Sequence, residues 1–171
     1  SYSQKRFGIA AGTYYIKIYK WNFSDIVFNF RFNYEATNNW ETELNDTYPV
    51  ADNINVNEQY YGSLQKRYDV DWYKFTTSQD GYVSLEFTHD YIENDNNYWV
   101  IELYNDSYSK IEAYGLNGKR LKSSGYEIGL SAGTYYLKLY KYEGYYSDFE
   151  YGLKINYNAS SVWEKEFNDD Y

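Results

Sequence analysis

The feature that most restricts this chain is an internal repeat. Gly12–Tyr19 reads GTYYIKIY and Gly133–Tyr140 reads GTYYLKLY, an offset of 121 residues in which the two differences exchange Ile for Leu. Asn33–Tyr48 (NYEATNNWETELNDTY) returns as Asn156–Tyr171 (NYNASSVWEKEFNDDY) at an offset of 123. Two blocks recurring in order at nearly one spacing argue against chance similarity between Tyr-rich strands. Solenoid units repeat every 20 to 50 residues or so, so this period suits tandem whole domains instead. The two extra residues fall in the Tyr/Gly-rich stretch Tyr142–Tyr146, where a hairpin loop absorbs them. The phase divides the chain into residues 1–37, the C-terminal third of a preceding repeat, 38–160, one complete module, and 161–171, the start of a following repeat.

Within the complete module the hydrophobic period is two, the period of a half-buried strand. Val83, Leu85 and Phe87 oppose Tyr82, Ser84 and Glu86; Trp99, Ile101 and Leu103 oppose Val100, Glu102 and Tyr104. Tyr135, Leu137 and Leu139 oppose Tyr136, Lys138 and Tyr140, and Tyr151, Leu153, Ile155 and Tyr157 form a fourth inward row. Turn residues separate the runs at Gln79-Asp80-Gly81, Asn94–Asn97, Asn117-Gly118 and Ala132-Gly133. The pattern predicts eight strands, near 59–65, 71–76, 81–88, 98–104, 109–113, 125–130, 133–141 and 149–157. That count, with no helical period, predicts an all-β, antiparallel, jelly-roll-like sandwich. By the same repeat, residues 4–9, 12–20 and 26–34 are expected to be the last three strands of the preceding module. Alone they leave an apolar face and open edges, to be covered by the complete module or by strand exchange with another copy of the chain.

Composition excludes several functions. There is no Cys, hence no disulfide framework, thiolate metal site or cysteine nucleophile. The one His, His89, rules out a His-rich zinc site, and it stands at a strand end with no nucleophile-elbow motif, where a solvated side chain is expected. A net charge of −9 opposes binding to nucleic acid or an anionic membrane and suits a cation. No apolar run is long enough to span a membrane as a helix. With 26 Tyr, 9 Phe and 5 Trp, the core has to be assembled largely from aromatic bodies, with Tyr hydroxyls reaching its edge.

Two acidic segments carry the chemistry. In Trp40–Thr47 (WETELNDT), Glu41, Glu43 and Asn45 alternate and so share one side of an extended segment, with Asp46 at the following turn. In Tyr68–Phe75 (YDVDWYKF), Asp69 and Asp71 share a side at the mouth of a strand. Carboxylate and amide oxygens without His or Cys suit a hard cation such as Ca²⁺. The alternative is a solvated acidic loop.

These motifs carry a resemblance. ETELNDT, Tyr61-Gly62-Ser63-Leu64, DVDWYKF, and the late GTYYLKLY and YGLKINY resemble, over about residues 40–157, the bacterial pre-peptidase C-terminal domain family, which includes the calcium-dependent collagen-binding domains of clostridial collagenases. The resemblance implies a secreted, non-catalytic jelly-roll module. It also implies a Ca²⁺ site made of Glu41, Glu43, Asn45, Asp46, Asp69 and Asp71. The third-module start repeats part of that set as Glu164, Glu166, Asn168 and Asp169 but lacks the Asp-x-Asp partner, so a weak or empty half-site is expected there.

The outward Tyr136, Lys138 and Tyr140, with Tyr142, Tyr145 and Tyr146, form a candidate ligand or partner surface, since Tyr brings contact area and a hydroxyl at low entropic cost; the plainer reading is an aromatic cover on one sheet. The expected function is a non-catalytic, calcium-stabilised repeat of a secreted or cell-surface bacterial protein, serving adhesion, spacing or assembly. The alternative is an accessory module of an extracellular hydrolase that binds a collagen-like or polysaccharide ligand.

Overall fold

A computed structural model describes residues 6–19, 27–90, 97–117, 122–124, 127–142, 150–164 and 166. After a 3-10 turn at Tyr48–Val50 come ten strands: β1 (Asp52–Asn53), β2 (Gln59–Ser63), β3 (Val70–Thr77), β4 (Gly81–His89), β5 (Asn97–Asn105), β6 (Lys110–Asn117), β7 (Lys122–Ser124), β8 (Ile128–Leu130), β9 (Gly133–Lys141) and β10 (Glu150–Ala159). Eight of them stand where the alternation predicts strands. The two not foreseen, β1 and β7, are only two and three residues long.

The strands form two sheets. One has the order β1-β3-β9-β5-β6, the other β2-β10-β4-β7, with β8 also on β4. Apart from the short parallel β1–β3 pair, every ladder is antiparallel. With the two-residue β1 set aside, first strand beside last (β2–β10), second beside next-to-last (β3–β9) and the central hairpin β5–β6 define a jelly roll, two sheets wound from one long folded ribbon.

The inward rows make the core. On β4 burial alternates without a break from Gly81 to His89, and β9 alternates likewise. Phe75, Val83, Phe87, Trp99, Ile101, Leu137, Leu139, Leu153 and Ile155 are all buried between the sheets, each such side chain worth about 1.5–3 kcal/mol of transfer free energy. A cavity of about 20 Å³ lined by Phe75, Val83, Leu103, Tyr114, Ile128 and Leu137 has room for little more than one water. It is not a substrate cleft. His89 also belongs to this interior, packed against Phe87 and Trp99 at ring distances of 5.8 and 5.4 Å. The solvated histidine expected from its strand-end position is therefore corrected: the inward phase of β4 carries it into the core.

Two inward rows open on polar residues at the same end of the sandwich. The β3 row begins with Asp71 before Tyr73 and Phe75, and the β10 row begins with Tyr151 before Leu153 and Ile155; all are buried. The acidic pocket is thus an end of the core.

The segment before the module differs from expectation. Residues 6–19 and 27–39 contain no strand; a single parallel bridge joins Ile9 to Glu43. The physical reason is visible in the complete module. There the equivalent strands, β9 and β10, are held by β3, β5, β2 and β4, and residues 1–37 contain no counterpart of those partners. The segment instead touches the module through Arg6, whose Nε donates to Glu150 at 2.7 Å, whose guanidinium lies 5.1 Å over the Trp40 ring, and whose carbonyl accepts from Ser63 Oγ at 3.2 Å.

Candidate metal centre

Residues 39–43 run extended beside β2: the Glu41 amide donates to the Tyr61 carbonyl and the Tyr61 amide to the Asn39 carbonyl, both at 2.8 Å. Further along, the Trp72 amide donates to the Asn45 carbonyl at 3.0 Å. These bonds clamp the first acidic segment to β2 and to β3, the strand that bears Asp71. The Tyr68 backbone is left-handed, with φ 64°, a costly state for a non-glycine residue. It forms the turn in which Asp69 Oδ2 accepts from the Gln65 amide and, at 3.2 Å, from the Lys66 amide.

The two segments therefore meet, as their spacing suggests. Glu41, Asn45, Asp69 and Asp71 are buried, and Glu43 is half-buried. Asp46 turns outward, its carboxylate 2.9 Å from Lys66 Nζ, which also lies 3.4 Å from Asp69 Oδ1.

Glu41 Oε1 accepts from the Ser63 amide at 2.5 Å, and Glu41 Oε2 lies 2.9 Å from the Tyr151 hydroxyl. That hydroxyl also lies 2.5 Å from Asp71 Oδ2 and from the Tyr73 hydroxyl. One phenol proton cannot bond both carboxylates at full strength, so the arrangement favours a proton on one of the two acids. Electrostatics agree. Burial pushes Glu41 up to about 7, with the Asp69 charge adding to it. Burial with the Glu41 and Asp69 charges pushes Glu43 to about 7. Burial and the Glu41 charge hold Asp71 well above the usual carboxylate range. These are acids crowded together out of water.

Among the described residues, four buried side-chain oxygens accept no hydrogen bond: Glu43 Oε1, Asn45 Oδ1, Asp71 Oδ1 and Asp69 Oδ1, the last with the Lys66 ammonium 3.4 Å away. All are hard donors, and a buried polar atom left unpaired is costly. The donor chemistry therefore fits a hard cation. The spacing is open rather than closed, because among the described residues no three His, Cys, Asp or Glu side chains are drawn together tightly enough to hold a metal.

Sequence reasoning missed Tyr151, Tyr73 and Asp52. Asp52 Oδ2 accepts from the Thr42 amide at 2.6 Å and from Asn45 Nδ2 at 3.3 Å, which orients Asn45. Tyr151 had a signal: it opens an inward row in a chain whose core tyrosines must place their hydroxyls somewhere. Asp52 had none, since its position depends on the 3-10 turn.

Of the predicted aromatic surface, Tyr136, Lys138 and Tyr140 lie half-buried on β9 and Tyr142 is exposed; Tyr145 and Tyr146 lie outside the described residues. Their sheet face is already packed. Tyr48 lies over Trp72 and Tyr108, Tyr108 over Tyr136, and Lys138 Nζ sits 4.5 Å from the Tyr140 ring and 3.5 Å from Glu102. In the third-module start, Glu164 and Glu166 are exposed, while Asn168 and Asp169 lie outside the described residues.

No protein-family profile matches the chain, and no curated protein matches it. Among solved structures it is similar to the pre-peptidase C-terminal domain of a collagenase from Bacillus anthracis, with 22% identity over 62% of this chain and 94% of that one and a TM-score of 0.48.

Proposed function

We propose that the chain is a non-catalytic β-sandwich repeat of a secreted or cell-surface protein, stabilised by Ca²⁺ and serving adhesion, spacing or assembly. The observation that supports the metal is the set of four buried oxygens on Glu43, Asn45, Asp69 and Asp71 that accept no hydrogen bond, in a pocket where burial raises the proton affinity of the neighbouring Glu41. Ca²⁺ takes six to eight oxygens or thereabouts. Those four residues would hold it, with Glu41 at its flank and Asp46 joining if Lys66 releases it. Bound Ca²⁺ would add to the single positive charge of Lys66, compete with protons for the acids, and draw the first segment against β3. The role is structural, and it rests on folded-state binding. The test is the melting temperature of the full chain in millimolar Ca²⁺ against EDTA. A rise that Asp71→Asn abolishes supports the site; an unchanged melting temperature removes Ca²⁺ from the reading.

A second reading, an accessory module for a collagen-like or polysaccharide ligand of an extracellular hydrolase, draws on the aromatic band of Tyr48, Trp72, Tyr108 and Tyr136 on one sheet face. Retention on gelatin or insoluble polysaccharide, lost on Tyr136→Ala, would favour it.

A further inference from the structure

The chain contains the same backbone contact twice. At the N-terminal side, the Glu43 amide donates to the Gly8 carbonyl at 3.3 Å; at the C-terminal side, the Glu166 amide donates to the Gly129 carbonyl at 3.1 Å. A Cβ on Gly8 would stand 1.5 Å from the Glu41 carbonyl oxygen and 2.7 Å from Trp40 Cδ1. On Gly129 the corresponding distances are 1.4 Å to the Glu164 oxygen and 2.6 Å to Trp163 Cδ1. Only glycine permits so close an approach. The turn that follows is also duplicated, with the Tyr14 hydroxyl donating to the Ala10 carbonyl at 2.6 Å and the Tyr135 hydroxyl to the Ser131 carbonyl at 2.8 Å. Gly129 lies in β8, so residues 7–9 stand where β8 of a preceding repeat would stand.

The first of these contacts shows what lies on the other side. Residues 39–41 pair with Tyr61 of β2, and Trp40 stacks on the Tyr61 ring at 6.2 Å. The order across the sheet is therefore 7–9, then 40–43, then β2, β10, β4 and β8, and then Trp163, Glu164 and Glu166. At the second contact, Trp163 is anchored on Tyr82 of β4 at 4.4 Å, and Val162, the counterpart of Asn39, is 92% exposed.

We propose that successive repeats share one continuous sheet, in which the Trp-Glu-x-Glu segment is a joining strand between β8 of one repeat and β2 of the next. The outer edge of residues 162–164 is then the docking site for β2 of a further copy of this repeat. The joint fixes the angle between repeats, because a strand bonded on both sides cannot swivel. It rests on the tandem-repeat reading of the chain and needs no metal.

The test extends the chain in frame, with residues 1–171 followed by a second copy of 49–171, so that Trp163 of the first copy stands at the joint. The protein has no Cys, so Ser107→Cys in each copy gives one spin-label pair. Pulsed electron paramagnetic resonance is expected to give one narrow distance population, in Ca²⁺ and in EDTA alike. Gly129→Val should broaden it, and so should Trp163→Ala, which leaves β8 unaltered and cannot fail by misfolding the strand. In the unextended chain, Gly129→Val should speed hydrogen exchange at the Glu166 amide by about tenfold or more. A broad distribution without substitutions overturns the proposal, as does a narrow one that survives both. A narrow distribution in a protein whose melting temperature ignores Ca²⁺ rejects the metal and keeps the joint.

Discussion

Residues 12–19 and 133–140 have nearly one sequence and opposite surroundings. Tyr135, Leu137 and Leu139 are 7%, 4% and 1% exposed; their counterparts Tyr14, Ile16 and Ile18 are 52%, 58% and 50% exposed. Alternation is equally good in both. What differs is that β9 has β3 on one side, β5 on the other and a second sheet above it. A period-two pattern states which face a strand would bury; pairing and a facing sheet decide whether it becomes a strand.

The comparison breaks most sharply by mutation. Leu137→Ala should cost about 2–5 kcal/mol in urea denaturation, and Ile16→Ala should stay within about 0.5 kcal/mol; equal costs would mean that residues 12–19 are packed in solution. Saturating Ca²⁺ should add about 2–3 kcal/mol when free ion exceeds the dissociation constant about a hundredfold. Its hydrogen-exchange protection should fall on β2, β3 and residues 41–45 and leave residues 12–19 unaffected, since every proposed ligand lies in the module.

A third effect is pH. Without a cation, Glu41 and Glu43 hold protons up to about 7 that the unfolded chain releases near 4.5. Their contribution to stability is intact below the unfolded value and is lost as pH rises through the folded one. Melting temperature in EDTA should therefore decline from pH 5 toward pH 8, roughly the window set by those values, and Ca²⁺ should flatten the decline. A rise with pH in EDTA would contradict the buried-acid geometry. The smallest effect is expected from Arg6→Gln. It removes an exposed pair with Glu150 worth under about 1 kcal/mol, yet it should loosen residues 6–9 from Trp40, seen as faster exchange at the Glu43 amide.

Much of the module was legible in the sequence because the relevant signals are local. Inward rows such as Val83-Leu85-Phe87 need only a sheet to lie on, and turn residues mark their ends. The acidic segments were legible only in part: carboxylates without His or Cys suited a shared cation or a solvated loop, and the burial of Glu41 and Asp71 excludes the loop. Three features were not legible. His89 looked like a strand-end residue because its phase, inward, conflicts with its polarity. Asp52 acts through a turn whose geometry no residue pattern fixes. Residues 12–19 carry a strand's sequence without a strand's partners, and partners are a tertiary fact.

Tyr151 belongs to the core along its ring and to the acidic pocket at its oxygen. The ring packs on Phe87 at 5.6 Å and on Trp99 at 6.0 Å, while the hydroxyl stands between Glu41 and Asp71. A phenol has no joint between ring and oxygen, so it works as a stiff lever. A shift of the Tyr151 ring is therefore carried to the oxygen between the two acids. Packing and acidity in this molecule are therefore adjusted by one handle, and a substitution that looks purely hydrophobic should be read out as a change in proton affinity.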